Sequence, residues 1–275
     1  MRRFWSGFAS VAFILWGFCA LAGEKYWSDK ILDTLRFDEL LQVLEAEAVA
    51  SGAELDGAIL NGAGQEAWLR TVARIHNADR WASILRRQFS QRFPDQYARS
   101  VIEFMGSQQG QHIVSVELET RLAFLDDRVE EASKTKLLDL VESQDPIISQ
   151  IHRYIEINAL IENNVAGGLN SNLAFFKALQ NGAGKTVADN SGLLDEIWAQ
   201  APRMRTETEE WLLAFLAAAY SSLSSQELEA YLAFCETPEG QALNTSLFDI
   251  LDAMMIETAA ATGLAANQFL TAERL

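Results

Sequence analysis

The stretch "FCETPEGQAL", residues 234–243, decides the fold, because it has a counterpart 130 positions earlier in "FMGSQQGQHI", residues 104–113. Both stretches fit the frame F-x-x-S/T-x-x-G-Q. In the later copy Thr237 can cap a helix that has Pro238 at its first position, where a missing amide donor costs nothing. A side chain at Gly240 would point toward the preceding helix, so we expect the glycine to permit close backbone approach. The frame therefore predicts a tight corner between two helices.

The earlier copy carries the same residue types at the same places. Ser107 occupies the capping position, and Gly110 occupies the crowded position. Phe104 corresponds to Phe234, the aromatic side chain that we expect to fill the corner. We interpret the frame as architecture and not as chemistry.

Tryptophans follow the same spacing. The offset of 130, without a gap, pairs Trp68 with Trp198 and Trp81 with Trp211. A fixed spacing of this kind indicates an internal repeat. Large aromatic side chains usually belong to helical cores. Surfaces between repeats often form pockets, however, so the four tryptophans are also candidates for a ligand cleft.

Apolar residues recur at helical spacing almost everywhere, as Trp211, Leu212 and Phe215 do in "WLLAFLAAAYSSL". Sustained alternation of the strand type is missing from the sequence. We therefore predict an all-α protein, in which two tandem helical repeats pack as a helical bundle. The predicted divisions are a signal peptide at 1–22, a first helical repeat at 23–132, and a connecting helix with the second helical repeat at 133–275.

Two clusters rich in Gly, Asn and Asp, at 50–64 and 180–192, are predicted as loops. Between the repeats, the segment around Pro146 is predicted as one helix, or as two helices broken near that proline. An apolar stripe that includes Leu137 and Ile148 favours a rigid connection over a flexible linker.

The chain opens "MRRFWSGFASVAFILWGFCALAGEKY", with a basic start, an apolar run and a small-x-small ending. This is the layout of a secretory signal peptide, cleaved here between Ala22 and Gly23. A membrane anchor is the alternative, but the apolar run is shorter than the roughly 20 residues that a spanning helix needs. We expect an exported, periplasmic protein without a transmembrane segment in the mature chain.

The chain is strongly acidic, with a formal net charge of −16 that becomes −18 when two arginines leave with the signal peptide. Such a chain repels nucleic acid and anionic lipid headgroups, so we expect neither as a partner. After cleavage Cys235 is the one remaining thiol. The fold must therefore rely on its core and not on an internal disulfide.

The helix corner and its surroundings resemble domain-of-unknown-function family 2059. The similarity is clearest at residues 221–260, and a degenerate copy at 91–130 lacks the proline. The residues that match the family's pattern are Ser224, Glu227, Leu228, Phe234, Thr237, Pro238, Gly240 and Leu243. Members of the family are bacterial and usually carry signal peptides, and the family brings no established activity. The resemblance therefore implies an exported bacterial helical domain and no particular chemistry.

Two loop motifs suggest ligands on first inspection. "GAGKT", residues 182–186, is similar to a phosphate-binding loop, but Leu179 stands where that motif requires its first glycine. "ADNSG", residues 188–192, has oxygen-bearing side chains but lacks the regularly spaced ligand residues and the terminal Glu of a calcium-binding loop. A helix-connecting loop and a helix cap are the favoured interpretations.

Two further groups could carry chemistry. His152 and Glu156 share a helix face and could supply two metal ligands, but no second His or Cys is near them in sequence. Cys235 lies near the start of a helix, which would lower a thiol pKa, yet its place on an apolar face favours a small core residue. We predict no catalytic, metal or cofactor site.

The sequence favours a non-enzyme, an interaction or binding module of the bacterial cell envelope with an unidentified envelope protein as its partner. The alternative is a carrier or sensor of a small hydrophobic ligand held between the repeats. An exposed apolar patch would favour the first. A pocket with a few polar groups would favour the second.

Overall fold

The computed structural model of this protein describes residues 26–181 and 191–272. The predicted signal peptide, with its cleavage site between Ala22 and Gly23, lies outside these ranges. So do "GAGKT" and most of "ADNSG". Within the two ranges all regular secondary structure is helical, which confirms the all-α prediction.

Short connections join the successive helices. The helices are α1 (residues 26–34), α2 (Phe37–Ile59), α3 (Gln65–Ile75), α4 (Ala78–Arg92), α5 (Ala98–Met105), α6 (Gln108–Ala123), α7 (Asp127–Glu142), α8 (Pro146–Ile157), α9 (Leu160–Asn181), α10 (Ser191–Trp198), α11 (Ala201–Ala219), α12 (Ser225–Cys235) and α13 (Pro238–Ala272). Two short 3-10 turns, Asp95–Tyr97 and Tyr220–Ser222, precede α5 and α12. We call α1–α6 the first half and α8–α13 the second half, with α7 between them in the chain.

The two halves follow the same helix order, but their spacing along the chain changes partway. The turns after α1 and α8 each contain a residue in the left-handed conformation, Arg36 with φ 54° and Ala159 with φ 48°, which are 123 positions apart. Helices α4 and α11 begin 123 positions apart as well, at Ala78 and Ala201.

Downstream the separation is 130 residues, because α6 and α13 begin at Gln108 and Pro238. The second half is thus seven residues longer between the start of α11 and the start of α13, and seven residues are about two helical turns. A single gapless offset of 130 is therefore the wrong register for the helices before α5. This is why the predicted pairing of tryptophans joins residues in unlike surroundings.

Two local predictions are also corrected. The glycine-rich segment 50–64 is mostly helical, since α2 continues to Ile59 and only a five-residue connection follows. The helical pattern after the first glycine-rich cluster also predicts one long helix that carries Trp68 and Trp81. The structure has two helices there, because the Asn77 side chain accepts a hydrogen bond from the Arg80 amide and caps α4.

The main hydrophobic core contains residues from both halves, including Ile31, Phe89 and Ile113 from the first and Leu232 and Ile250 from the second. Helix α13, with 35 residues, packs along α9 and also contacts α3, α4 and α5 of the first half. The two halves therefore share one core. None of the helices in the described ranges is both long and apolar enough to span a bilayer.

Candidate ligand cavity between the two halves

The two helix corners have the same internal hydrogen bonds. In the first, the Ser107 hydroxyl donates to the carbonyl of Phe104 at 2.6 Å and accepts from the Gly110 amide at 3.1 Å. In the second, the Thr237 hydroxyl donates to the carbonyl of Phe234 at 2.7 Å and accepts from the Gly240 amide at 3.1 Å. Each hydroxyl therefore caps the following helix and also fixes the end of the preceding one.

Neither corner has room for a side chain on its glycine. A Cβ on Gly110 would lie 2.3 Å from the carbonyl oxygen of Phe104 and 2.6 Å from Cα of Met105. A Cβ on Gly240 would lie 2.3 Å from the carbonyl oxygen of Phe234 and 2.9 Å from the next Cα. The obstructing atoms are backbone, so no change of rotamer can relieve them.

The glutamine that closes each frame joins the corner to a third helix. The Gln111 side-chain amide donates to the carbonyls of Met105 at 2.8 Å and Thr34 at 2.9 Å, the latter at the end of α1. Gln241 donates to the carbonyls of Cys235 at 2.7 Å and Ile157 at 3.1 Å, the latter at the end of α8. Both glutamines satisfy carbonyls that a helix end leaves without an intrahelical partner. The sequence frame contains them but gives no sign of these partners.

The two corners face each other. The rings of Phe104 and Phe234 stack with centroids 4.2 Å apart and planes within 3° of parallel. Tyr231 extends the stack, with its ring centroid 6.3 Å from that of Phe104. The corner aromatics thus form part of the contact between the halves.

Beside this contact lies a cavity of about 300 Å³. Its walls come from α2, α5 and α6 of the first half and from α8, α11, α12 and α13 of the second. Most of the lining is apolar and includes Leu40, Val114, Leu118, Phe215, Leu243 and Leu247. The volume is at the lower end of the roughly 300–1,000 Å³ range of small-molecule sites.

Polar groups in and behind the cavity wall gather around Glu117 of α6. The Tyr220 hydroxyl donates to its Oε1 at 2.6 Å, and Tyr231 also hydrogen bonds to its carboxyl group. The hydroxyls of Tyr231 and Tyr154 are 3.1 Å apart. These residues come from α6, α8, α12 and the turn after α11, so no sequence motif brings them together.

Burial raises the pKa of Glu117 to about 7, although its hydrogen bonds from Tyr220 and Tyr231 act in the opposite direction. Desolvation disfavours the charged form of a carboxyl group, which is the cause of the rise. The carboxyl group is surrounded by protein, yet Glu117 lines the cavity and keeps part of its accessible surface. The residue therefore borders a space that a ligand could occupy, and its carboxyl group changes protonation near neutral pH.

The positively charged residue nearest to Glu117 along α6 pairs with a different carboxylate. Arg121 lies one turn further on and forms two hydrogen bonds with the carboxylate of Glu47, at 2.6 and 2.7 Å. Its guanidinium also lies 4.9 Å from the ring centroid of Trp211. Within residues 26–181 and 191–272, no lysine, arginine or histidine forms an ion pair with Glu117.

Cys235 lines the same cavity but is unsuited to thiol chemistry. Burial raises its pKa to about 12, so the side chain stays in the neutral, weakly nucleophilic form. This favours the interpretation of Cys235 as a small core residue.

The four tryptophans are not brought together, and none of them lines this cavity. Trp68 is fully buried and donates its Nε1–H to the carbonyl of Gly52 at 2.7 Å. Trp81 is also buried in the core, whereas Trp198 is 61% exposed. Trp211 is half-buried and stacks on a cavity-lining phenylalanine of the same helix. The proposed tryptophan cleft is therefore corrected to a cavity lined by tyrosines and a glutamate.

The other polar pair predicted from the sequence remains on the surface. His152 and Glu156 are both exposed on α8. In the part of the chain that the structure describes, no group of three His, Cys, Asp or Glu side chains is placed to hold a metal ion.

Comparisons with known proteins give no match for this chain among protein-family models, curated proteins or solved structures.

Proposed function

We propose that this protein binds a small, mostly apolar ligand in the cavity between its halves and serves as a carrier or sensor. The observation that carries the proposal is the combination of an apolar wall with one convergent polar cluster around Glu117. Binding sites for small molecules typically combine a largely hydrophobic lining with a few placed polar groups. Cys235, the most nucleophilic residue type in the wall, is held neutral by burial.

Native mass spectrometry of the protein, purified gently from its own cells, tests this proposal. We expect a reproducible added mass in the metabolite or lipid range. Leu247→Trp should remove the added mass, because Leu247 lines the cavity and a larger side chain would fill it. Leu138→Trp is the matched control, because Leu138 is 68% exposed on α7. An added mass that survives Leu247→Trp, or a bare protein in every preparation, would contradict the proposal.

A second candidate function is a protein-interaction module of the bacterial cell envelope. Five large apolar side chains are exposed along the end of α6 and on α7, namely Leu122, Leu125, Val129, Leu138 and Val141. Leu138 and Val141, three positions apart on α7, share one face of that helix, and exposed apolar side chains that are close together mark surfaces for partners. Leu138→Glu should abolish co-purification of a partner and leave the ligand mass in place, whereas an unchanged partner profile would count against this function.

The location of the protein is part of the same proposal. Residues 1–22 support export to the periplasm, and the corner residues support membership of domain-of-unknown-function family 2059. The intact mass of the exported protein should begin at Gly23, and a mass that includes residues 1–22 would refute cleavage.

A further inference from the structure

We propose that the ligand of this cavity carries a protonated amine, which binds Glu117 beside Tyr154 and Tyr231 of the cavity wall. The inference rests on the proposed function and adds the chemical class of the ligand. It follows from two features of the site. No cation of the cavity wall pairs with Glu117, and aromatic side chains lie beside its carboxyl group.

The first argument is the unbalanced charge. Ionised Glu117 needs a cationic partner in a site with little water, since an unpaired buried charge is costly. Arg121 cannot serve while its guanidinium is held by both oxygens of Glu47. The remaining polar side chains of the cavity wall, Asn158 and Asn244, are neutral. A ligand ammonium would supply the missing cation.

The second argument is the tyrosine cluster. The ring centroid of Tyr154 lies 5.2 Å from that of Tyr231 and 5.7 Å from that of Tyr220, and the last two are 6.5 Å apart. Aromatic faces attract ammonium groups, and aromatic cages are a common way to bind them. Two of the three hydroxyls also contact the carboxyl group of Glu117. The cluster therefore places aromatic rings beside the carboxylate, and two of them, Tyr154 and Tyr231, belong to the cavity wall.

The third argument is the exclusion of acidic ligands. A fatty acid would bring its carboxylate toward Glu117, and two carboxylates in one buried site repel each other. The opposite end of the ligand would meet the apolar wall. The geometry therefore fits an alkyl or aryl amine of small size.

The groups that face Glu117 also set the pH dependence. Burial raises the pKa values of Tyr154, Tyr220 and Tyr231 well above their ordinary range, and Cys235 on α12 is held neutral in the same way. From α2 and α6 the facing charges are Glu47 and Arg121, which pair with each other. Glu117 is thus the group in the cluster that titrates near pH 7. Amine binding should release a fraction of a proton at pH 7, because Glu117 is then only partly protonated, and the release should approach one proton as the pH drops to about 5.5, where the affinity should be lower.

The test is calorimetric titration of the mature chain with two probes of equal length, n-octylamine and 1-octanol. In the wild-type protein we expect the amine to bind at least about tenfold more tightly than the alcohol at pH 7.5. Glu117→Gln should abolish that preference, so that the two probes bind with similar affinities. Glu119→Gln is the matched control, because Glu119 is an exposed carboxylate on the same helix.

A second readout does not depend on any variant. Amine binding to the wild-type protein at pH 7 should release this fraction of a proton, which appears as a dependence of the measured heat on the ionisation enthalpy of the buffer. Equal affinities for amine and alcohol, without proton release, would overturn the amine assignment and leave the cavity proposal standing. Absence of binding by both probes would overturn both.

Discussion

Replacing Gly240 with alanine places a methyl group against the backbone of the preceding helix. The added Cβ would lie 2.3 Å from the carbonyl oxygen of Phe234, whereas ordinary van der Waals contact begins at 3.4 Å. The corner would therefore have to open by about 1 Å. Overpacking of this kind typically costs about 1–3 kcal/mol.

The same opening would disturb the next residue. Gln241 donates to two carbonyls, and each such hydrogen bond contributes about 0.5–1.5 kcal/mol. Alanine recovers about 0.5–1 kcal/mol of helix propensity relative to glycine. We therefore expect Gly240→Ala to lower the free energy of unfolding by about 2–4 kcal/mol.

Urea unfolding followed by circular dichroism measures this change. Gly110→Ala should cost a similar amount, because its Cβ would also lie 2.3 Å from a backbone carbonyl oxygen. Gly57→Ala is the matched control, since no atom lies within 4 Å of a Cβ at Gly57 on α2. The control should be neutral or slightly stabilising. A loss below about 1 kcal/mol for Gly240→Ala would refute close backbone packing as the role of this glycine.

Three other measurements address the core, the contact between halves and the polar cluster. In urea unfolding, Trp68→Ala should lower the free energy of unfolding by about 3–5 kcal/mol, because Trp68 is fully buried. Trp198→Ala should lower it by less than about 0.5 kcal/mol, because Trp198 is exposed, and equal losses would contradict this assignment. A double-mutant cycle of Phe104→Ala and Phe234→Ala should give a coupling energy of about 0.5–1.5 kcal/mol from their stacked rings, and additive losses would refute the stack. The folded protein holds the Glu117 proton more tightly than the unfolded chain, so stability should fall by up to about 3 kcal/mol between pH 4.5 and the region above pH 7. Glu117→Gln should remove most of that fall, and an unchanged pH profile would contradict the raised pKa.

The sequence was informative where local chemistry determines structure. A hydroxyl residue, then glycine and glutamine at fixed spacing, defines a helix corner, because capping and crowding act within a few residues. Helical periodicity likewise determined the fold class. The change in spacing between the halves was not accessible, since the extra residues lie partly in α11, with 19 residues against 15 in α4, and partly in α12, with 11 against 8 in α5, and no local motif marks either addition.

The polar cluster of the cavity could not be predicted for a different reason. Glu117 stands between Val116 and Leu118 among other polar and apolar residues of α6, so nothing in the local sequence marks it as buried. Its partners Tyr154, Tyr220 and Tyr231 are 37 or more positions away along the chain. Only the packing of the two halves brings these side chains together, and tertiary packing leaves no local signal in the sequence.

Helix α13 has a consequence for how the protein unfolds. At about 1.5 Å per residue its 35 residues extend for about 52 Å. Ile250 belongs to the shared core, while Ala265 and Ala266 complete a second cluster around Trp68 of the first half. In repeat arrays whose units contact only their neighbours, segments can melt independently. Here the last helix supplies part of the interior of the first half. A chain cut near residue 132 should therefore yield two fragments that fold only when mixed. The intact chain should denature in one cooperative transition.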